Sequence, residues 1–140
     1  MRKCIFCFII FLSFLRVASF GQDIQPQHPI DIKYQACLDS NSSTIGTLEC
    51  LSSARQDWDK ELNKYYKLLM KELNQSGQLA LRKSQKQWII YKETETKFYL
   101  GLYTKKEGTM WNVVMARRGM DIIRTRAIEL IEYYETIIQN

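Results

Sequence analysis

Apolar residues recur along most of this chain at helical spacing. Leu48, Leu51, Trp58, Leu62, Tyr65, Leu69 and Leu73 follow one another at intervals of three, four or seven, which predicts a long amphipathic helix reaching about Asn74. The Ser, Asn and Thr cluster from Ser40 to Thr44 supplies its N-cap candidates. Ser76 and Gly77 then break the pattern. A short polar turn there predicts that the next helix folds back alongside. That helix is expected over about Gln78 to Tyr99, with Leu81, Trp88, Tyr91, Phe98 and Leu102 near one face and Glu95 as the misfit among them. The stretch Leu102 to Gly108 is basic and bounded by glycines, and reads as a loop. From Thr109, a plausible N-cap, a third helix continues through Val114, Ile122, Ile123, Ala127, Leu130, Ile131, Tyr134 and Ile137 to the end. Gly119 inside it costs about 1 kcal/mol relative to Ala unless close packing needs it. No strand pattern, repeat or low-complexity block competes. The expected fold is all-α: a small antiparallel bundle of three long helices, with a short N-terminal helical segment tied by one disulfide.

Two polar stripes interrupt the apolar faces. Asp59, Leu62, Asn63 and Tyr66 share one helix face, and Leu81, Gln85 and Trp88 share another. Asn63 and Gln85 thus sit on or beside stripes that look buried, and a buried amide needs a partner. The neighbouring helix is the expected source. Asp59, Asn63, Tyr66, Gln85 and Trp88 are accordingly read as interhelical structural residues that fix how two antiparallel helices dock.

The first residues carry the three parts of a secretory signal: Arg2 and Lys3, an apolar run from Cys4 to Leu15, and small residues Ser19 and Gly21 before Gln22. The run is shorter than the ~20 apolar residues that span a bilayer, and Arg16 interrupts it. The expectation is a signal peptide over 1–21, no stable membrane anchor, and an exported protein of the periplasm or exterior. Residues 22–33, with Pro26 and Pro29, are expected to form a flexible leader, and 34–140 a single domain. Cleavage leaves 17 basic and 15 acidic residues in 119, so most of the basic excess disappears. Basic and acidic residues alternate along the helices, which argues against a nucleic-acid partner.

Cys4 and Cys7 leave with the signal, while Cys37 and Cys50 enter a compartment where disulfides persist. Two thiols allow one intramolecular pairing. Their spacing is far from Cys-x-x-Cys, and the only histidine, His28, falls in the expected leader, so neither a redox nor a metal site is indicated. Asp57, Asp59 and Glu61 are crowded in one helix without a cue for a sugar-cleaving cleft, and no nucleophile-elbow motif accompanies any serine. The chain reads as a non-enzyme without a cofactor.

Thr44-x-Gly46-x3-Cys50, then Trp58-Asp59-x-Glu61-Leu62-Asn63-x2-Tyr66, then Leu81-x3-Gln85-x2-Trp88 resemble the secreted bacterial domain named after the LprI lysozyme inhibitor. Gly108-Thr109 and Arg126-x3-Leu130 resemble that family's closing segment. The resemblance runs from about Cys37 to Leu130 and implies a helical envelope protein and, for the member that named the family, inhibition of lysozyme. Many relatives carry a further cysteine pair, where this chain has Thr96 and either Arg118 or Gly119. Its third long helix is therefore expected to be held by packing alone. Several relatives have Arg-Asp where Lys92-Glu93 stands, which keeps the charge order and loses the Arg fork.

The expected partner is a protein, with lysozyme the target the resemblance implies and steric occlusion the mechanism. The alternative is an envelope adaptor that binds peptidoglycan or another envelope protein. Tyr99, Tyr103, Lys105, Lys106 and Trp111, on or beside the interhelical loop, are the candidate partner-binding residues. A basic lysozyme would favour an acidic inhibitor, and Asp57, Asp59 and Glu61 are the candidate acidic patch.

Overall fold

The computed structural model describes residues 27–139, which form four helices: α1 Pro29–Ser40, α2 Thr44–Glu72, α3 Gln75–Tyr103 and α4 Met110–Ile138. The expected signal peptide and the leader up to Pro26 lie outside the described residues. Among those described there is no strand, and no helix is long and apolar enough to cross a membrane. The expected all-α architecture is the one observed.

Caps explain where the helices start. Ser43 accepts the Gly46 N–H at 3.0 Å, and Asn74 accepts the Gly77 N–H at 2.9 Å. Ser76 and Gly77 therefore lie inside the first turn of α3, where the sequence pattern placed a break. The side-chain amide of Gln78 closes the turn by donating to the carbonyls of Met70 (2.9 Å) and Leu73 (3.0 Å), two of the groups a helix end leaves unpaired. Thr109 occupies the N-cap position of α4 but makes no side-chain cap bond. The loop before it is shorter than expected, because α3 continues through Gly101 to Tyr103; Gly108, at φ +95°, makes the turn that a side chain would oppose.

The core lies mainly between α2 and α4, which run parallel. Leu51, Ala54, Trp58, Leu62 and Leu69 pack on Met120, Ile123, Ala127 and Leu130, all buried. Matching contacts climb both helices in the same direction, from Trp58 beside Arg124 to Tyr65 edge-on to Tyr134. The α2–α4 seam, rather than the expected docking of α2 on α3, is the main one. Helix α3 returns antiparallel between their ends, burying only Leu81 and Tyr99 fully. It approaches α4 closely where a Cβ added to Gly119 would lie 3.2 Å from the Tyr99 hydroxyl, so that glycine has its packing reason.

Helix α1 corrects the expected leader. Residues 29–33 are helical, with Pro29 at the first position, where its missing N–H costs nothing and its fixed φ suits a helix. His28 accepts the Ile30 N–H at 3.2 Å through Nδ1 and packs its ring 4.4 Å from the fully buried Trp58. The Cys37–Cys50 disulfide, with Cα atoms 5.8 Å apart, ties the other end to α2. Between them, the Arg124 guanidinium grips Asp31 through both carboxylate oxygens (2.6–3.2 Å), and Arg117 donates to the Tyr34 hydroxyl at 2.7 Å. Helix α4 is thus held by charge as well as by packing.

Candidate functional site

The five residues expected to join helices separate into different roles. Gln85 bridges α3 to α4, accepting from Nε of Arg126 at 3.1 Å. That guanidinium is buried, at 6% exposure, and also reaches Ser84 (3.1 Å) and Glu129 (2.9 Å). Asn63 corrects the expectation: it is exposed, and its amide donates to the Asp59 carbonyl (2.7 Å) and carboxylate (3.2 Å) within α2. Asp59 is exposed as well, so that pair belongs to the solvent face. Tyr66 and Trp88 are half-buried against the core, with the Lys92 ammonium 5.1 Å from the Trp88 ring centre.

The loop residues gather into a small aromatic knob at the α3–α4 end of the bundle. Tyr103 and Trp111 stack with ring centres 5.2 Å apart and planes 16° from parallel, which ties the last turn of α3 to the first of α4. Arg118 lies 5.6 Å from the Tyr103 ring centre and Lys106 lies 6.0 Å from that of Trp111, so cations border the stack. Lys105 is exposed. Tyr99 is not part of this surface: it is 5% exposed and faces Gly119, which removes it from the expected contact set.

Two of the three acids of the expected patch are already engaged, and Asp59 stays on the solvent face. Lys33 bonds Asp57 at 2.6 Å and Lys60 reaches it at 3.3 Å, while Lys64 bonds Glu61 at 2.7 Å. The Lys33 hydrogen bond, with help from Lys60, holds the Asp57 carboxyl below the usual carboxylate range, and the Glu61 bond raises the Lys64 ammonium. On α4, loss of water pushes Asp121 above the ordinary carboxyl range even though Arg117, Arg124 and Arg118 pull it down. No group of three His, Cys, Asp or Glu among the described residues could hold a metal. Arg126, the most buried charge among the described residues, was visible in the sequence only as part of the family-like closing segment.

No curated protein matches this chain. A solved structure of an uncharacterized protein from Burkholderia thailandensis is similar, with a TM-score of 0.76 and 27% identity over 82% of this chain. The matched region spans 58% of that longer chain. The family model described as lysozyme inhibitor LprI matches residues 37–130, which include the disulfide, the α2–α4 core and the Gln85–Arg126 bridge. On that match, the chain belongs to the LprI lysozyme inhibitor family.

Proposed function

We propose that this protein is an exported, non-enzymatic binding protein that inhibits lysozyme by occlusion, with the bundle end around Tyr103 and Trp111 entering the enzyme's cleft. Family membership supports the inhibitor reading, and the disulfide fits an exported protein. The observation that carries the choice of site is the Tyr103–Trp111 stack, an aromatic knob set on a short loop between two 29-residue helices. Its rings are ordered before binding, so little side-chain entropy is lost on contact. Lysozyme turnover measured with titrated protein tests this reading. Inhibition should be saturable, and Tyr103→Ala and Trp111→Ala should lose it while remaining folded, with melting lowered only by the roughly 0.5–1.5 kcal/mol of the lost ring stack. No slowing at micromolar excess removes the inhibitor reading.

One observation favours a second reading, an envelope adaptor. The knob is flanked by Lys105, Lys106 and Arg118, while two of the three acids of the candidate patch, Asp57 and Glu61, are paired with lysines. Such an end complements an anionic wall polymer better than a basic enzyme.

A further inference from the structure

A cleft runs along the α3–α4 seam between two places where the helices are clamped. At one end Tyr99 lies against Gly119, and at the other Arg126 crosses to Ser84 and Gln85. Between the clamps, side chains including Trp88, Tyr91 and Glu95 of α3 and Asp121, Ile122 and Thr125 of α4 line a space of about 370 Å³. That volume falls within the roughly 300–1,000 Å³ of small-molecule sites. Both clamps are contacts within the chain itself, a ring against a glycine at one end and three side-chain hydrogen bonds of Arg126 at the other.

The lining is unusual for a helix seam. Glu95, the misfit on the inner stripe of α3, faces this space, and Glu95, Asp121 and Thr125 make no hydrogen bond or salt bridge among the described residues. Tyr91 forms part of the wall while remaining 55% exposed, and Trp88 sits one turn before it. A lipid tail or aliphatic peptide would strip water from Glu95 and Asp121 without giving either a donor. Two arginines also line the cleft, but Arg126 is bonded to Ser84, Gln85 and Glu129 and Arg118 lies over the Tyr103 ring, so an anion would meet the unbonded carboxylates of Glu95 and Asp121, while a strong cation would meet Arg117, Arg118 and Arg124, whose charge acts on Asp121. What fits both rings and acceptors is an uncharged molecule with apolar faces and hydroxylated edges.

We propose that this cleft binds a pyranose sugar of a glycan chain, with Tyr91 and Trp88 against the C–H face of the ring and Glu95, Asp121 and Thr125 accepting its hydroxyl protons. The proposal rests on the cleft alone and does not depend on lysozyme being the target. Tryptophan fluorescence and amide NMR shifts, recorded while the protein is titrated with tetramers of N-acetylglucosamine and of glucose, test it. At least one tetramer should give a saturable response centred on residues 88–95 and 121–125. Tyr91→Ala and Glu95→Gln should each weaken it roughly tenfold, about 1.4 kcal/mol, with unchanged melting. No response to either sugar at millimolar concentration overturns the proposal, as does binding that both variants retain or that maps elsewhere. Assaying the same variants against lysozyme on a soluble substrate keeps the two ideas apart: inhibition that survives loss of sugar binding leaves the occlusion reading standing, and sugar binding without inhibition leaves the cleft standing.

Discussion

Gln85 and Asn63 carry the same amide, yet one joins two helices and the other serves its own. Gln85 faces a buried guanidinium, so Gln85→Ala should leave the Arg126 Nε–H without an acceptor and cost about 1–3 kcal/mol. In a domain of this size that lowers Tm by roughly 4 °C or more. Asn63→Ala should stay within about 0.5 kcal/mol, since water replaces its bond to Asp59. Equal melting of the two variants would contradict this division of roles. Helical spacing placed both amides beside apolar stripes, but spacing gives a direction from the axis and not the position of the neighbouring helix. For Asn63 the Asp59 acceptors one turn away were the nearer solution. Asp121 makes a further test. Its raised carboxyl means that the fold favours the neutral acid, so ionisation costs stability above the folded-state pKa and the cost fades as pH falls through it. Asp121→Asn should raise Tm slightly at neutral pH, because water still reaches the side chain, and lose that relief in acid, as calorimetry across pH would show. A residue that costs stability where it stands is a common mark of a binding site.

Helix α1 shows what the pattern of elements could and could not reveal. The three long helices follow from their apolar spacing, and α1 was expected only as a short segment because Pro26 and Pro29 suggested an extended leader. Proline at the first helical position is also a start signal, and contacts distant in sequence, His28 with Trp58 and Asp31 with Arg124, decide between the two. The disulfide closes a separation of 13 residues, so the Cys37→Ala, Cys50→Ala double variant should lose roughly 3 kcal/mol in the chain-entropy model. Chemical denaturation of the variant measures this, and amide exchange should rise first in α1. Acid should loosen the same element. Asp57 is depressed in the fold by Lys33, so its contribution is complete above the unfolded carboxylate value of about 3.9 and is lost as pH falls through the lower folded value. Asp57→Asn should flatten that acid limb of the stability curve.

Taken as a whole, the molecule offers opposite charge signatures for its two proposed partners. If the basic knob meets a basic lysozyme, added salt screens repulsion and association should quicken between low and physiological ionic strength. If it acts by covering an anionic wall polymer, salt should weaken the effect, and inhibition should vanish on a soluble uncharged substrate. Stopped-flow association and turnover on both substrates separate these outcomes. The overall class was legible because apolar spacing and turn residues agree along the chain. The pairing of α2 with α4 was not, because short connections bring successive helices together without saying which seam becomes the core. The cleft was visible only as the misplaced Glu95.

The way α1 lies across the bundle has a practical consequence. His28, which caps its first turn, rests on Trp58 near the midpoint of α2, so this end of α1 lies at the waist of the bundle. A fluorescent reporter attached at Gln27 would therefore sit beside the middle of α2 and away from the Tyr103–Trp111 end, leaving that end uncovered for single-molecule work.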